Sequence, residues 1–169
     1  MSGRDSRISL RTGDIADAEQ IAAIYNHYVI HSAISFEETA VNPQEISGRM
    51  YDAQAKGLPW IVAEERQATL GYAYATPWRT RSAYRRSVEV TVYVAPERTG
   101  NGIGALLYTA LLTQLRQSGL HTAVAVIALP NPASVRLHER FRFEKVAHLK
   151  QIGYKMGQWV DVGYWQLLL

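Results

Sequence analysis

Several groups of residues have types and spacings that could do chemistry. Glu89 puts a carboxylate inside the alternation SVEVTVYV, Ser87 to Val94. On a strand, Val88, Val90, Val92 and Val94 face one way and Glu89, Thr91 and Tyr93 the other. A shielded carboxylate there could work as a base; a solvent-facing Glu on a half-buried strand fits the same pattern. His138, in SVRLHERF, could exchange a proton near neutral pH, although a lone helical His is commonly packed or solvated. The stretch PWRTRSAYRR, Pro77 to Arg86, mixes four arginines with two aromatics. It reads as a solvated loop or as a patch for single-stranded nucleic acid. His27 and His31 have the i, i+4 spacing of a zinc pair, but no third ligand is evident, and they read as helix surface.

The stretch TVYVAPERTGNGIGALLYTALL, Thr91 to Leu112, carries a different signal. A strand pattern stops at Pro96, glycines follow at 100, 102 and 104, and a helical pattern begins. Unpartnered N–H groups at a helix start, with the helix dipole, attract anions. Glycine lets a phosphate come close to the backbone; a plain tight turn is the alternative. No Gly-Lys-Ser/Thr follows, so the turn is not a Walker A loop. Gly100, Gly102 and Ala105 match G-x-G-x-x-G/A, but Arg98 to His138 contains no Asp or Glu to hold a ribose.

The elements that must position these residues are legible from periodicity. Ile8 and Leu10 alternate in a short first strand. Asp14 caps a helix whose Ile21, Ile24, Tyr25, Tyr28 and Val29 share a face. Residues 33–42 form a loop. Asn42 and Pro43, with Glu45, start a second helix that ends near Lys56 and Gly57. Strands over Trp60 to Glu65, Leu70 to Thr76 and Ser87 to Val94 favour an antiparallel meander. A long helix covers about Gly102 to Ser118, with Ile103, Leu106, Leu107, Ala110 and Leu111 as its apolar stripe. Val124 to Leu129 reads as a buried strand. Asn131 and Pro132 open a further helix to about Phe141, and two strands, near 145–153 and 160–168, close the chain. The fold class expected is mixed α/β, in one domain over residues 1–169.

Composition bounds the function. The chain has 169 residues, 47% hydrophobic and 20% charged, as expected of a globular protein with a core. It has no cysteine, which excludes disulfides, thiolate metal sites and a catalytic thiol. The net charge of +3 suits an anionic ligand without naming nucleic acid. The start, MSGRDSRIS, lacks an apolar leader core, and no apolar run is long enough to span a bilayer. A cytoplasmic address, no membrane association and no metal are expected.

The glycine turn resembles the signature of the GNAT superfamily of N-acetyltransferases, a strand, then Gln/Arg-x-x-Gly-x-Gly/Ala, then a helix. Gly102 and Gly104 stand at its glycine positions; Thr99 departs from the usual Gln or Arg. ISFEETAV, PWRTRSAYRRSVEVTVYV, PNPASVRLHERFRF and GQWVDVGYWQL resemble phosphinothricin acetyltransferases and related amino-acid N-acyltransferases, in order, over nearly the whole chain. Arg142 departs from the Gly that relatives often carry before Phe143.

The resemblance implies a GNAT fold, a mostly antiparallel central sheet flanked by helices. It implies acetyl-CoA as co-substrate, with its diphosphate on the backbone of Gly100, Asn101, Gly102, Ile103, Gly104 and Ala105. Its pantetheine would pair with Val92, Tyr93 and Val94, near Asn131 and Ser134. For Asn131 an ordinary N-cap fits equally well. Glu89 is implied as general base, through water, and His138 as general acid or second base. Arg79, Thr80 and Arg81, with Tyr84 nearby, would hold the carboxylate or phosphinate of an amino-acid-like acceptor, alongside Val90 and Thr91. Phe36 and Glu37 would line the amine pocket, though Glu37 fits an exposed loop charge as well. Without a cysteine, direct attack in a ternary complex is the simplest scheme. A homodimer is implied. Other small amines, a peptide N-terminus among them, remain as acceptors, whereas the Arg79 and Arg81 charges would repel polycations. A basic nucleic-acid module remains the reading from another class.

Overall fold

The computed structural model describes residues 8–169; the N-terminal start read above as lacking a leader lies mostly outside the described residues. β1 spans Ser9–Thr12. Asp14 then accepts from the Ala16 N–H while Asp17 bonds the Asp14 N–H, closing a 3-10 turn over Ile15–Asp17. The turn runs into α1, Ala18–His31, so Asp14 starts the helix one short turn early. α2, Pro43–Ala55, opens on the expected box, in which Asn42 and Glu45 bond each other's backbone, with proline at its start. Gly57 follows it at φ +69°, the left-handed conformation that ends many helices.

β2, Trp60–Glu65, β3, Ala68–Pro77, and β4, Ser87–Val94, form the meander. α3 spans Ile103–Gln117, β5 Thr122–Leu129 and α4 Pro132–Arg140. β6, Glu144–Lys155, and β7, Gln158–Leu168, end the chain. The strands form one sheet in the order β1-β2-β3-β4-β5-β7-β6. Its neighbours run antiparallel except β4 and β5, which are parallel. Among the described residues no helix is long and apolar enough to cross a membrane.

The side-chain alternation assigns the helices to faces. A Cβ on Gly71 of β3 would lie 3.2 Å from Leu107 of α3, so the odd residues of β3 face α3. Tyr72 stacks with Tyr93 at 5.7 Å, and Tyr93 meets Tyr25 of α1 at 5.2 Å, so the even residues of β3 face α1. α1 and α3 therefore cover opposite faces, and each bury a stripe that stabilises by about 1.5–3 kcal/mol per large side chain. The stripe of α3 is rotated from the one expected. Ile103, Leu107 and Leu111 are buried, but Leu106 is 44% exposed, and Tyr108, Leu112 and Leu115 complete the buried face. Burial of Leu112 and Leu115 turns that side of the helix inward, and Tyr108 joins it because its hydroxyl has a partner inside the protein.

The end of β6 fastens the loop between α1 and α2. Lys155 is 4% exposed and donates to the Val29 carbonyl at 2.7 Å and the Ser35 carbonyl at 2.6 Å. Val29 lies in the last turn of α1, where unpaired carbonyls favour a cation. Gly153 leaves room for the Phe36 ring, which would lie 2.3 Å from a Cβ there. Asn26 holds Val41 by both its N–H and C=O at 2.8 Å. The loop is thus pinned at both ends. Lys155→Met leaves two buried carbonyls without a donor and should cost about 2 kcal/mol or more, read as a lower urea midpoint at unchanged slope.

Candidate active site

β4 pairs with β5 only at Ser87↔Thr122, Val88↔Ala123 and Glu89↔Val124. Beyond Glu89, β4 stays with β3 to Val94 and β5 stays with β7 to Leu129. The two strands part. Backbone groups alternate sides along a strand. The Arg86 carbonyl accepts from the His121 and Thr122 N–H groups, on the β5 side. By the same alternation the N–H and C=O groups of Val90, Val92 and Val94 point into the gap. Those of Val126 and Ala128 face them, since the odd carbonyl of His121 pairs toward β7. The Tyr28 hydroxyl donates to the Val94 carbonyl. A cleft of about 590 Å³ runs through the gap and reaches the glycine turn.

At that turn the backbone forms the binding surface. Gly100 and Gly102 both have φ +79°, and a Cβ on either would meet nothing within 4 Å. Their glycine character therefore answers to conformation and to open approach, not to crowding. Gly102 is the left-handed N-cap of α3, and no side chain caps the helix. Ala105 N–H bonds the Gly102 carbonyl at 3.0 Å, which leaves the amides before it directed outward. Side chains that could crowd the mouth fold back: the Thr99 hydroxyl donates to Pro96 O at 2.9 Å and the Asn101 amide to Arg98 O at 3.2 Å. The donor set is a row of main-chain N–H groups at a helix start, which fits a diphosphate. Thr99 departs from the signature without altering that set.

Ile103, Gly104 and Ala105 line the cleft along the first turn of α3, and Val92, Tyr93 and Val94 line it along β4. Asn101 is exposed and lies outside the lining. Asn131 lines the far wall while its Oδ1 accepts from the Ser134 N–H at 3.1 Å, so it is an N-cap placed at the cleft. Ser134 lies one turn on.

Glu89 projects from the α1 face, beside Thr91 and Tyr93, at the residue where the strands separate. It is half-buried, and burial pushes its carboxyl above the ordinary value while the Arg79 cation draws it partly back. Among the described residues no side chain hydrogen-bonds its carboxylate, and the Arg79 cation acts on it through space. Arg79 stacks on Trp78 with its guanidinium 4.5 Å from the ring. Thr80, Arg81 and Tyr84 are exposed on the same β3–β4 loop. Val90 is buried and faces α3.

Across the sheet, His138 is 3% exposed and packed between Tyr108 and Phe143. Its Nδ1 lies 2.7 Å from the Ser134 carbonyl, which can only accept, so Nδ1 carries the proton. Nε2 is then an acceptor, and the Tyr108 hydroxyl donates to it at 2.7 Å. Burial lowers the imidazole pKa, with the Ser134 bond opposing. The ring is therefore neutral with its free lone pair already engaged, and Tyr108 becomes part of the site. Tyr108 was missed in the sequence because it reads as one more residue on a helix; a buried Tyr needing a hydroxyl partner was the available signal.

The remaining expected residues fall on the α1 face. Phe36 lies against Gly153. Glu37, on the loop between α1 and α2, is ion-paired with Arg49 of α2 at 2.8 Å. His27 and His31 stack on the surface of α1 at 5.1 Å, and no group of side chains that could hold a metal is found among the described residues.

Residues 10–163 match the family model described as an acetyltransferase (GNAT) domain. The phosphinothricin N-acetyltransferase of Streptomyces viridochromogenes is 40% identical, over 98% of this chain and 90% of that protein. An L-methionine sulfoximine/L-methionine sulfone acetyltransferase of Salmonella typhimurium is 36% identical, over 96% of this chain and 95% of that protein. The structure of a GNAT superfamily phosphinothricin acetyltransferase from Sinorhizobium meliloti, in complex with acetyl-CoA, superimposes with a TM-score of 0.93 at 36% identity, covering 96% of this chain and 88% of that one. The chain belongs to the GNAT acetyltransferase family and has its fold.

The buried histidine makes a pH prediction. A group whose pKa is lowered on folding binds fewer protons folded than unfolded. Its contribution is full above the ordinary value of 6.5 and is lost as pH falls from there toward the folded value. Urea unfolding at pH about 7.5 and about 5.5 should show wild type losing more stability over this interval than His138→Gln.

Proposed function

We propose that this chain transfers acetyl from acetyl-CoA to the α-amine of a small amino acid analogue, by direct attack within a ternary complex. Phosphinothricin, methionine sulfoximine and methionine sulfone, named for its relatives, are the acceptors put forward. The carrying observation is the continuity of the cleft from outward-directed amides at Gly102 to the gap beside Glu89.

The parted strand and the turn divide the binding. Amides at residues 100–104 hold the diphosphate, with Ala105 closing the first turn behind them, and the free groups of Val92 and Val94 pair with the pantetheine, beside Asn131 and Ser134. When bound, the coenzyme supplies an activated acetyl thioester. Glu89 faces the side of the gap open to the acceptor. It takes the ammonium proton through a water, since even peptide α-amines titrate near ~8 and are mostly protonated at neutral pH. A new C–N bond forms at the carbonyl carbon as the C–S bond breaks. An N–H of the parted β4 segment stabilises the oxyanion. Tyr108 stands on the opposite side of the gap; with substrates bound its O–H turns from His138 Nε2 to the leaving sulfur and gives its proton there, and the second proton released by the acetylated nitrogen, relayed by water, restores the hydroxyl that His138 positions. Arg79 and Arg81, with Thr80 and Tyr84, hold the acceptor's acidic group, next to Thr91 and Val90.

A second copy of the chain is proposed to cover β6. That strand is an exposed edge, and Val146, Ile152, Tyr154 and Trp159 on the β6–β7 hairpin are exposed apolar residues. The cytoplasm is the proposed setting.

Gly102→Val removes the left-handed conformation and places a branched side chain in the phosphate approach. Calorimetry should show coenzyme A binding weakened tenfold or more, about 1.4 kcal/mol; unaltered binding overturns the placement. Glu89→Gln should lower kcat by about a hundredfold or more at neutral pH. Because burial raises the Glu89 pKa, wild-type kcat/KM should fall on the acid side at a pH above the ordinary carboxyl value of 4.5, and the variant should lose that limb. Thiol release from acetyl-CoA with phosphinothricin is the assay.

A further inference from the structure

The rim of the cleft carries charge that the reading above does not use. The lining holds three arginines, Arg98, Arg136 and Arg140, and among the described residues no Asp, Glu or Lys. Arg98 closes the short turn just before the glycines. Arg136 and Arg140 come from α4 and are exposed. Ala133, Arg136, Leu137 and Arg140 line the cleft at i, i+3, i+4 and i+7, so one face of α4 looks into it. That face lies against the glycine turn, for a Cβ on Gly104 would be 3.3 Å from Leu137. The two arginines therefore stand on either side of the residue that packs on the first turn of α3, where the amides are directed outward.

These cations are not spent on the fold. Among the described residues Arg136 and Arg140 have no hydrogen bond, ion pair or ring contact. Arg140 is the last residue of α4, where a basic side chain often bonds the final carbonyls, yet it takes none. Arg98 has one partner: a terminal nitrogen donates to Glu65 at 2.8 Å. That bond fixes its side chain and leaves the other donors of the guanidinium fork. Three like charges in one cleft repel each other, and an anion relieves them. The diphosphate already has its partners in the main-chain amides. The coenzyme carries one more anion, the phosphomonoester on the 3′-hydroxyl of its ribose, one sugar away from the diphosphate. A phosphomonoester loses its second proton near ~6, so it holds close to two charges at neutral pH. Its oxygens suit the planar, two-pronged contact that arginine makes.

We propose that Arg136 and Arg140, joined by Arg98, hold the 3′-phosphate of the coenzyme, so that this protein binds coenzyme A more tightly than its 3′-dephospho form. The inference rests on the proposed seat of the diphosphate on the glycine turn, which brings the ribose to the rim. The amides of the turn are indifferent to the 3′-phosphate; side chains at the rim read it.

Calorimetry on the full chain with coenzyme A and with 3′-dephospho-coenzyme A is the test. Wild type should bind coenzyme A about tenfold or more tightly than the dephospho form, the worth of a charge-assisted contact. Arg136→Gln combined with Arg140→Gln should bring the ratio near one by weakening coenzyme A alone. Arg136→Lys and Arg140→Lys keep the charge without the fork and should each lower the ratio in part; they serve should the double variant fail to fold. Arg116→Gln removes the same charge from an exposed site on α3 outside the lining and should leave the ratio unmoved. Equal binding of the two ligands by wild type, a ratio that Arg116→Gln lowers as much, or equal loss of both ligands in the double variant overturns the site and leaves the coenzyme cleft standing. Binding of neither ligand by wild type overturns the seat of the diphosphate and this inference with it.

Discussion

The structure depends on a sheet that stops pairing with itself. Up to Glu89, β4 and β5 share a parallel ladder, and beyond it each keeps only its outer neighbour. A buried backbone N–H or C=O with no partner costs on the order of 1–3 kcal/mol. Several such groups turned into one gap make a cleft that an extended, hydrogen-bonding ligand can fill by acting as a strand. The parting survives without a ligand because each strand is fully paired on its other edge. Gly71 contributes locally: a Cβ there would lie 2.7 Å from the Tyr93 carbonyl, so its absence lets β4 lie close to β3 at the end where it leaves β5.

That opening also organises the chemistry by face. Through it, groups from the α1 side and groups from the α3 side reach one cleft. Glu89 and Thr91 come from one side, Tyr108 and His138 from the other, and the glycine turn closes the end. The charges follow suit. The Glu89 carboxyl is partly desolvated, which raises its pKa, and Arg79 opposes the rise. The imidazole is held neutral and used to fix a hydroxyl. Two environments thus push the two groups in different directions.

The proposed acceptor side draws on segments outside the regular elements. The loop between α1 and α2 carries Phe36 and Glu37, and it is ordered by Asn26, Tyr25 and the far end of β6 through Lys155. The β6–β7 hairpin therefore does two things at once, presenting an apolar outer surface and fastening the pocket wall. Variation in such a loop can change what is acetylated while the cleft for the coenzyme stays the same.

The sequence by itself determined the elements, their faces and the glycine turn. Periods of 2 and 3.6, the Asn42–Glu45 box and the glycine-rich helix start are local, and each is set by residues within a few positions of one another. Resemblance to a family added the roles of Glu89, His138 and the loop arginines as expectations. What only the tertiary structure decided is who stands opposite whom. The strand alternation of SVEVTVYV is the same whether or not β5 stays beside it, so the parting was invisible. The Tyr108–His138 bond spans 30 positions and the Lys155–Val29 bond 126. On α3 Tyr108 is buried with its hydroxyl on His138 while Leu106 is exposed, and Glu37 of the α1–α2 loop meets Arg49 of α2. Local patterns encode which side a residue faces; a hydrogen-bond partner from a distant segment exists only once the chain has folded.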